Sequence, residues 1–149
     1  MTMKNTDLYA GSWELIPELC LYEFGSAPAI GSYRIDLDEA RAQITIEWRM
    51  SADTAVQSTG FGGPIDGSPQ PLAATAPAAG PDSFSLTRVD ERTLDSAAFR
   101  SGDQVASARR VASADGSLLA VVQQALDPDG TSYRNFQVYR RVTRVPTEG

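Results

Sequence analysis

The sequence predicts an all-β protein, a single antiparallel sheet closed as a sandwich or as an up-and-down barrel, with little helix. Three observations lead there. Apolar residues recur at every second position through most of the 149-residue chain, the period of a strand with one buried face. Turn-forming residues interrupt that alternation at short intervals. Helix-length apolar patterning is missing, and residues 17–22 and 38–42 have room for one turn each, too little for a helix that stands alone.

The first strand is expected around Gly11-Ser12-Trp13-Glu14-Leu15, with Trp13 and Leu15 facing inward. Tyr33, Ile35 and Leu37 alternate with Arg34 and Asp36, and Ile44, Ile46, Trp48 and Met50 alternate with Thr45, Glu47 and Arg49. This pair reads as a hairpin with one apolar and one polar face, joined through residues 38–42. Downstream, residues 83–89 and 93–99 flank Asp90-Glu91-Arg92, and residues 104–112 follow Ser101-Gly102-Asp103. Ala114-Asp115-Gly116 is a strong hairpin signal, because Asp-Gly accepts the positive φ such turns need. Asp127-Pro128-Asp129-Gly130 is another turn, with Pro presetting φ and Gly taking the left-handed position. Residues 133–143 close the pattern. Residues 60–81 concentrate Gly, Pro and Ala and read as a long surface loop, or as a flap over a barrel mouth. The organisation expected is one domain over 1–149, with a lead at 1–10, this loop at 60–81 and a tail at 144–149.

Composition removes several function classes. The chain has no histidine and one cysteine, Cys20, so a Ser-His-Asp or Cys-His nucleophile and an internal disulfide are excluded, and a zinc or iron site would need carboxylates alone. No cofactor is expected. A net charge of −6 argues against nucleic acid and anionic membranes as partners. Residues 1–10 lack the shape of a signal peptide and no run is long enough to span a bilayer, so a cytoplasmic location is expected. Cys20, between Leu19 and Leu21, reads as a small buried hydrophobe. Gly60-Phe61-Gly62-Gly63 is no phosphate loop, since Pro64 follows and no helix opens there.

Two stretches carry a family resemblance. Gly11-Ser12-Trp13 at the start and Val138-Tyr139-Arg140-Arg141-Val142 at the end resemble the calycins, in which a Gly-x-Trp on the first strand is covered by a late Arg. A closer similarity is to small bacterial lipocalin-like domains of undefined activity. It rests on Gly11 to Pro17, on Tyr22-Glu23-Phe24-Gly25, on Arg109-Arg110-Val111-Ala112-Ser113-Ala114-Asp115-Gly116 and on the strand after Asp129-Gly130. The sequence departs from those domains at Leu19-Cys20-Leu21, where they are polar, and in its Gly/Pro/Ala-rich middle. The resemblance implies a lipocalin-like barrel, with Trp13 and Arg140 as a structural pair at one pole. It brings no catalytic motif.

In a barrel, alternate residues of each strand point inward. Leu94 puts Ser96 and Ala98 inside; Val105 and Val111 put Ser107 and Arg109 inside; Phe136 and Val138 put Arg140 inside. Residues 118–125 are apolar on both faces, either because both are covered, for instance by a second copy in a homodimer, or because one apolar strip is exposed. Glu14, Asp36 and Glu47 fall outside. The residues assigned to ligand contact are Tyr33, Ile46, Trp48, Met50, Arg109 and Gln124. Arg109 reads either as half of an ion pair or as the anchor of an acidic head group. The function expected is binding of a small, largely apolar or amphipathic and acidic molecule. The alternatives are a cofactor-independent cyclase or isomerase on the same barrel, or a solid interaction module without a ligand.

Overall fold

The computed structural model describes residues 7–72 and 81–142. Residues 1–6 of the expected lead, residues 73–80 of the expected loop and the whole expected tail at 144–149 lie outside the described residues. The strands are β1 (Gly11–Leu15), β2 (Leu21–Tyr22), β3 (Ile30–Asp38), β4 (Arg41–Arg49), β5 (Gln57–Pro64), β6 (Gln70–Pro71), β7 (Ser83–Asp90), β8 (Thr93–Arg100), β9 (Asp103–Ala112), β10 (Leu118–Leu126) and β11 (Ser132–Arg141). Among the described residues the helical content is one 3₁₀ turn, Pro17–Leu19. None of their helices is long and apolar enough to cross a membrane.

The sheet runs β5-β4-β3-β1-β11-β10-β9-β8-β7-β6, antiparallel at every step, with β2 paired to β11 off this path. Short hairpins make the meander. Ser101 and Gly102 both have positive φ, 52° and 86°, as a two-residue primed turn requires. In the β9–β10 turn the Asp115 carboxylate accepts hydrogen bonds from the Ser113 and Ser117 hydroxyls and the Ser117 amide, which holds its carboxyl down at about 2. The barrel is nearly closed. Gly67 N donates to Leu86 O and Arg88 N to Ile65 O, bridging the end of β5 to β7, and the Phe61 and Phe84 rings meet edge-on across the same seam at 5.3 Å.

One expectation needs correction. The segment 60–81 is not a loop from its start, because residues 60–64 belong to β5, paired with β4. Glycine hid this strand. A Cβ on Gly62 would lie 2.8 Å from the carbonyl oxygen of Ala42, so β4 and β5 approach too closely there for a side chain.

The two ends of the barrel differ. At one pole Trp13, Ile35, Ile44, Leu86, Leu94, Ala112 and Leu119 form a fully buried core. Residues 7–10 cross this pole as a plug. Leu8 N donates to Glu91 O, Asp7 pairs with Arg88 at 2.8 Å, the Tyr9 hydroxyl donates to Asp7, and Trp13 Nε1 donates to Tyr9 O. Arg141, not Arg140, covers the indole. Its guanidinium lies 4.2 Å from the Trp13 ring centroid and donates to the carbonyls of Leu8, Ala10 and Gly116. Arg140 points outward to Glu14 at 3.2 Å, with both side chains exposed. The parity taken from Phe136 and Val138 was off by one: Asn135, Gln137, Tyr139 and Arg141 make the inner face of β11. Phe136 and Val138 lie on the opposite face of β11, where Val138 is nonetheless buried, so that face imitates an inner one.

Candidate functional site

Above the packed pole the barrel is hollow, with a cavity of about 610 Å³ open at the opposite end. It exists because its facing walls are unequal. Tyr33, Ile46, Trp48 and Phe61 line it from β3, β4 and β5, whereas above Arg110 at the floor β8 and β9 turn Ser96, Ala98, Ala106 and Ala108 inward. Small residues on one wall cannot fill the space that large ones on the other leave. This removes the alternative of a solid core without a void.

Four residues assigned to ligand contact from sequence, Tyr33, Ile46, Trp48 and Met50, are on the wall, Met50 at the rim and 47% exposed. Two are not inside. Arg109 points to the outer surface and pairs with Asp95, Nε and Nη2 donating to the two carboxylate oxygens at 2.8 and 2.7 Å. The reason lies in β9: its inward residues are Ala106, Ala108, Arg110 and Ala112, and alanine weighs little against Val105 and Val111, which face out. Gln124 is also outward, exposed, with its amide donating to Ser132 Oγ at 3.2 Å. In β10 the inward set is Leu119, Val121 and Gln123. Leu118 and Val122, on the outer face, are 41% and 36% exposed. Cys20 is half-buried and packs against the core, its thiol 3.5 Å from Ile16 O.

The residue that sequence parity missed is Arg110. It is 2% exposed and lies where the packed pole meets the cavity. Nε donates to the Tyr33 hydroxyl oxygen at 2.5 Å and Nη1 to Ser96 Oγ at 2.9 Å. The guanidinium also sits 5.7 Å from the Tyr33 ring centroid and 5.9 Å from that of Phe61. Among the described residues no carboxylate pairs with it. A guanidinium has five N–H donors and keeps its charge. Two of the five are used here, and both hydroxyls they meet serve as acceptors, so their own hydrogens remain to be donated. The cavity floor is therefore rich in donors. Glu47, the one carboxylate among the described lining residues, is exposed. The Arg-Arg pair in the sequence offered both parities, and only the register of β9 between β8 and β10 selects the second.

A second polar group stands on the neighbouring wall. The Tyr139 hydroxyl donates to Gln137 Oε1 at 2.9 Å, and Gln137 Nε2 donates to the Tyr22 hydroxyl oxygen. Burial raises the pKa of both phenols above the ordinary tyrosine value, so both stay protonated. The Tyr139 ring meets that of Tyr33 edge-on at 5.2 Å. Among the described residues no cluster of histidine, cysteine and carboxylate groups is arranged to hold a metal ion.

No family model matches the sequence, and neither does any curated protein. Solved structures do resemble the fold. Zebrafish ileal bile acid-binding protein complexed with cholic acid superposes with a TM-score of 0.52 at 10% identity, over 91% of this chain and 99% of that one. Bovine odorant-binding protein complexed with its natural ligand gives 0.51 at 11% identity, over 98% of this chain and 79% of that one. The same protein in complex with undecanal gives the same TM-score. At such low identity the likeness concerns the fold alone, and the fold is that of the calycin barrels.

Proposed function

We propose that this calycin-fold barrel binds a small amphipathic acid, its apolar body in the cavity and its anionic head on Arg110. One observation carries the reading: a buried guanidinium with spare donors, and with no carboxylate paired to it among the described residues, at the floor of a largely apolar cavity. An unpaired buried charge costs several kcal/mol, and the two aromatic faces offset only part of that. An anion that accepts from Arg110 and from the Tyr33 and Ser96 hydroxyls removes the remainder. A neutral alcohol of equal length fills the same volume and leaves the charge as it was. The cavity size lies within the usual range for small-molecule sites. Two barrels of the same fold were solved with small molecules, cholic acid in one and undecanal in the other, which supports binding as the use of the cavity.

The test is titration of tryptophan fluorescence with tetradecanoic acid and with tetradecanol. Trp48 lines the cavity and Trp13 is sealed in the pole, so a Trp48→Phe variant assigns the signal. The acid should bind more tightly. Arg110→Met should cost the acid about 10- to 100-fold and the alcohol almost nothing, as expected for loss of a charged hydrogen bond. Arg109→Leu should change neither. Equal affinity of acid and alcohol in the unaltered protein would overturn the reading.

A further inference from the structure

The chain Tyr139–Gln137–Tyr22 has a direction. The buried Tyr139 hydroxyl must give its hydrogen to an acceptor, and Gln137 Oε1 is the one in reach at 2.9 Å. That fixes the amide, so Nε2 faces Tyr22 and donates to its hydroxyl oxygen. Tyr22 is then an acceptor with respect to the protein, and among the described residues its own O–H meets no acceptor. Each donation polarises the next, so the hydrogen at the end of such a chain is a better donor than that of an isolated phenol.

The chain also stands close to the floor. Val121 pairs with Arg110 on one side and with Gln137 on the other, so Gln137 and Arg110 share one level of the barrel, two strands apart. That is roughly 10 Å between backbones, and both side chains reach inward across it. Tyr22 is held in place independently. Asn135 Oδ1 accepts from the amides of Glu23 and Phe24, and its Nδ2 donates to Phe24 O, clamping the segment after β2 against β11.

We infer that Tyr22, set by Gln137 and Tyr139, is a second recognition point that takes a carbonyl or hydroxyl oxygen of the ligand, so that the barrel selects oxygenated acids over plain ones. The inference rests on the reading of Arg110 as the head-group site. The ligand class is an acid bearing a further oxygen function near the carboxylate, followed by an apolar tail that reaches toward the mouth. A plain acid satisfies Arg110 and leaves the Tyr22 donor facing methylene groups.

The experiment compares tetradecanoic, 3-hydroxytetradecanoic and 3-oxotetradecanoic acids by calorimetry, in the unaltered protein and in Tyr22→Phe. That substitution removes one hydroxyl and keeps the ring. The oxygenated acids should bind about five- to tenfold more tightly than the plain acid, the usual yield of one hydrogen bond. Tyr22→Phe should abolish that preference without weakening the binding of the plain acid. Equal binding of all three acids, or a preference that survives Tyr22→Phe, overturns this inference and leaves the Arg110 reading intact. Failure of every acid to bind overturns both.

Discussion

The guanidinium of Arg141 stacks over the indole of Trp13 with 4.2 Å between its central carbon and the ring centroid, and three backbone carbonyls accept its hydrogens. The contact joins the first strand to the last. It also ties down the plug, because two of the carbonyls belong to Leu8 and Ala10. Arg141 thus joins the Leu8–Glu91 and Asp7–Arg88 contacts in closing the barrel pole on which the cavity floor is built.

Neighbouring arginines should therefore behave very differently. Arg141→Leu loses a stacking contact and three charge-assisted hydrogen bonds, and should cost about 2–4 kcal/mol in urea melts. Arg140→Leu breaks an exposed pair with Glu14 and should cost less than about 1 kcal/mol. Trp13→Ala should cost about 3–5 kcal/mol, the range for a large aromatic in a core. Equal losses for the two arginine variants would mean that the pole is held by something other than this stack.

Asp7 gives the fold an acid-sensitive point. Its hydrogen bond from Arg88, and a weaker one from Tyr9, hold the carboxyl below the usual carboxylate range against the opposing effect of burial. A group whose value is depressed by folding stabilises the fold above its unfolded value, near 4, and that contribution disappears as pH falls through the lower folded value. Denaturant midpoints should therefore drop as pH falls below about 4. Asp7→Asn should be less stable at pH 7 and should show a shallower drop over that window. Asp115 titrates in the same window in both proteins, so the difference between them isolates Asp7. Parallel pH profiles would show that Asp7 contributes nothing to folding.

Gly62 should be among the least replaceable residues of β5. Gly62→Ala puts a methyl group 2.8 Å from the Ala42 carbonyl, and the strands must separate. A loss of about 1–3 kcal/mol is expected from such overpacking. Gly60→Ala, where the nearest backbone oxygen is 3.2 Å away, should cost less. If the order is reversed in thermal melts, the close approach of β4 and β5 is not what demands glycine.

Much of the architecture was legible from residue order, because hairpins are local. The alternation in β3 and β4 and the turns at Ser101-Gly102, Asp115-Gly116 and Asp127 to Gly130 all report on backbone within a few residues of themselves. The inner face of β3 and β4 followed from the same local rule, which put Tyr33, Ile46 and Trp48 on the cavity wall. The strand β5 was not legible, since its glycines answer to a neighbouring strand rather than to their own conformation.

What the sequence by itself determined is the all-β meander, the buried Trp13 and the large-residue wall of the cavity, each imposed by period-two burial and turn chemistry. What only the tertiary structure decided is which member of each Arg-Arg pair faces in. In β9 the apolar residues that face outward are bulkier than those that face inward, and in β11 the inner face carries Asn135, Gln137 and Arg141. Hydrophobic parity therefore pointed to Arg109 and Arg140. The register of β9 beside β10, and of β11 beside β1, turns Arg110 to the cavity floor and Arg141 onto the indole. Register is a property of paired strands, fixed by packing across the barrel, and no single strand carries it in its own residues.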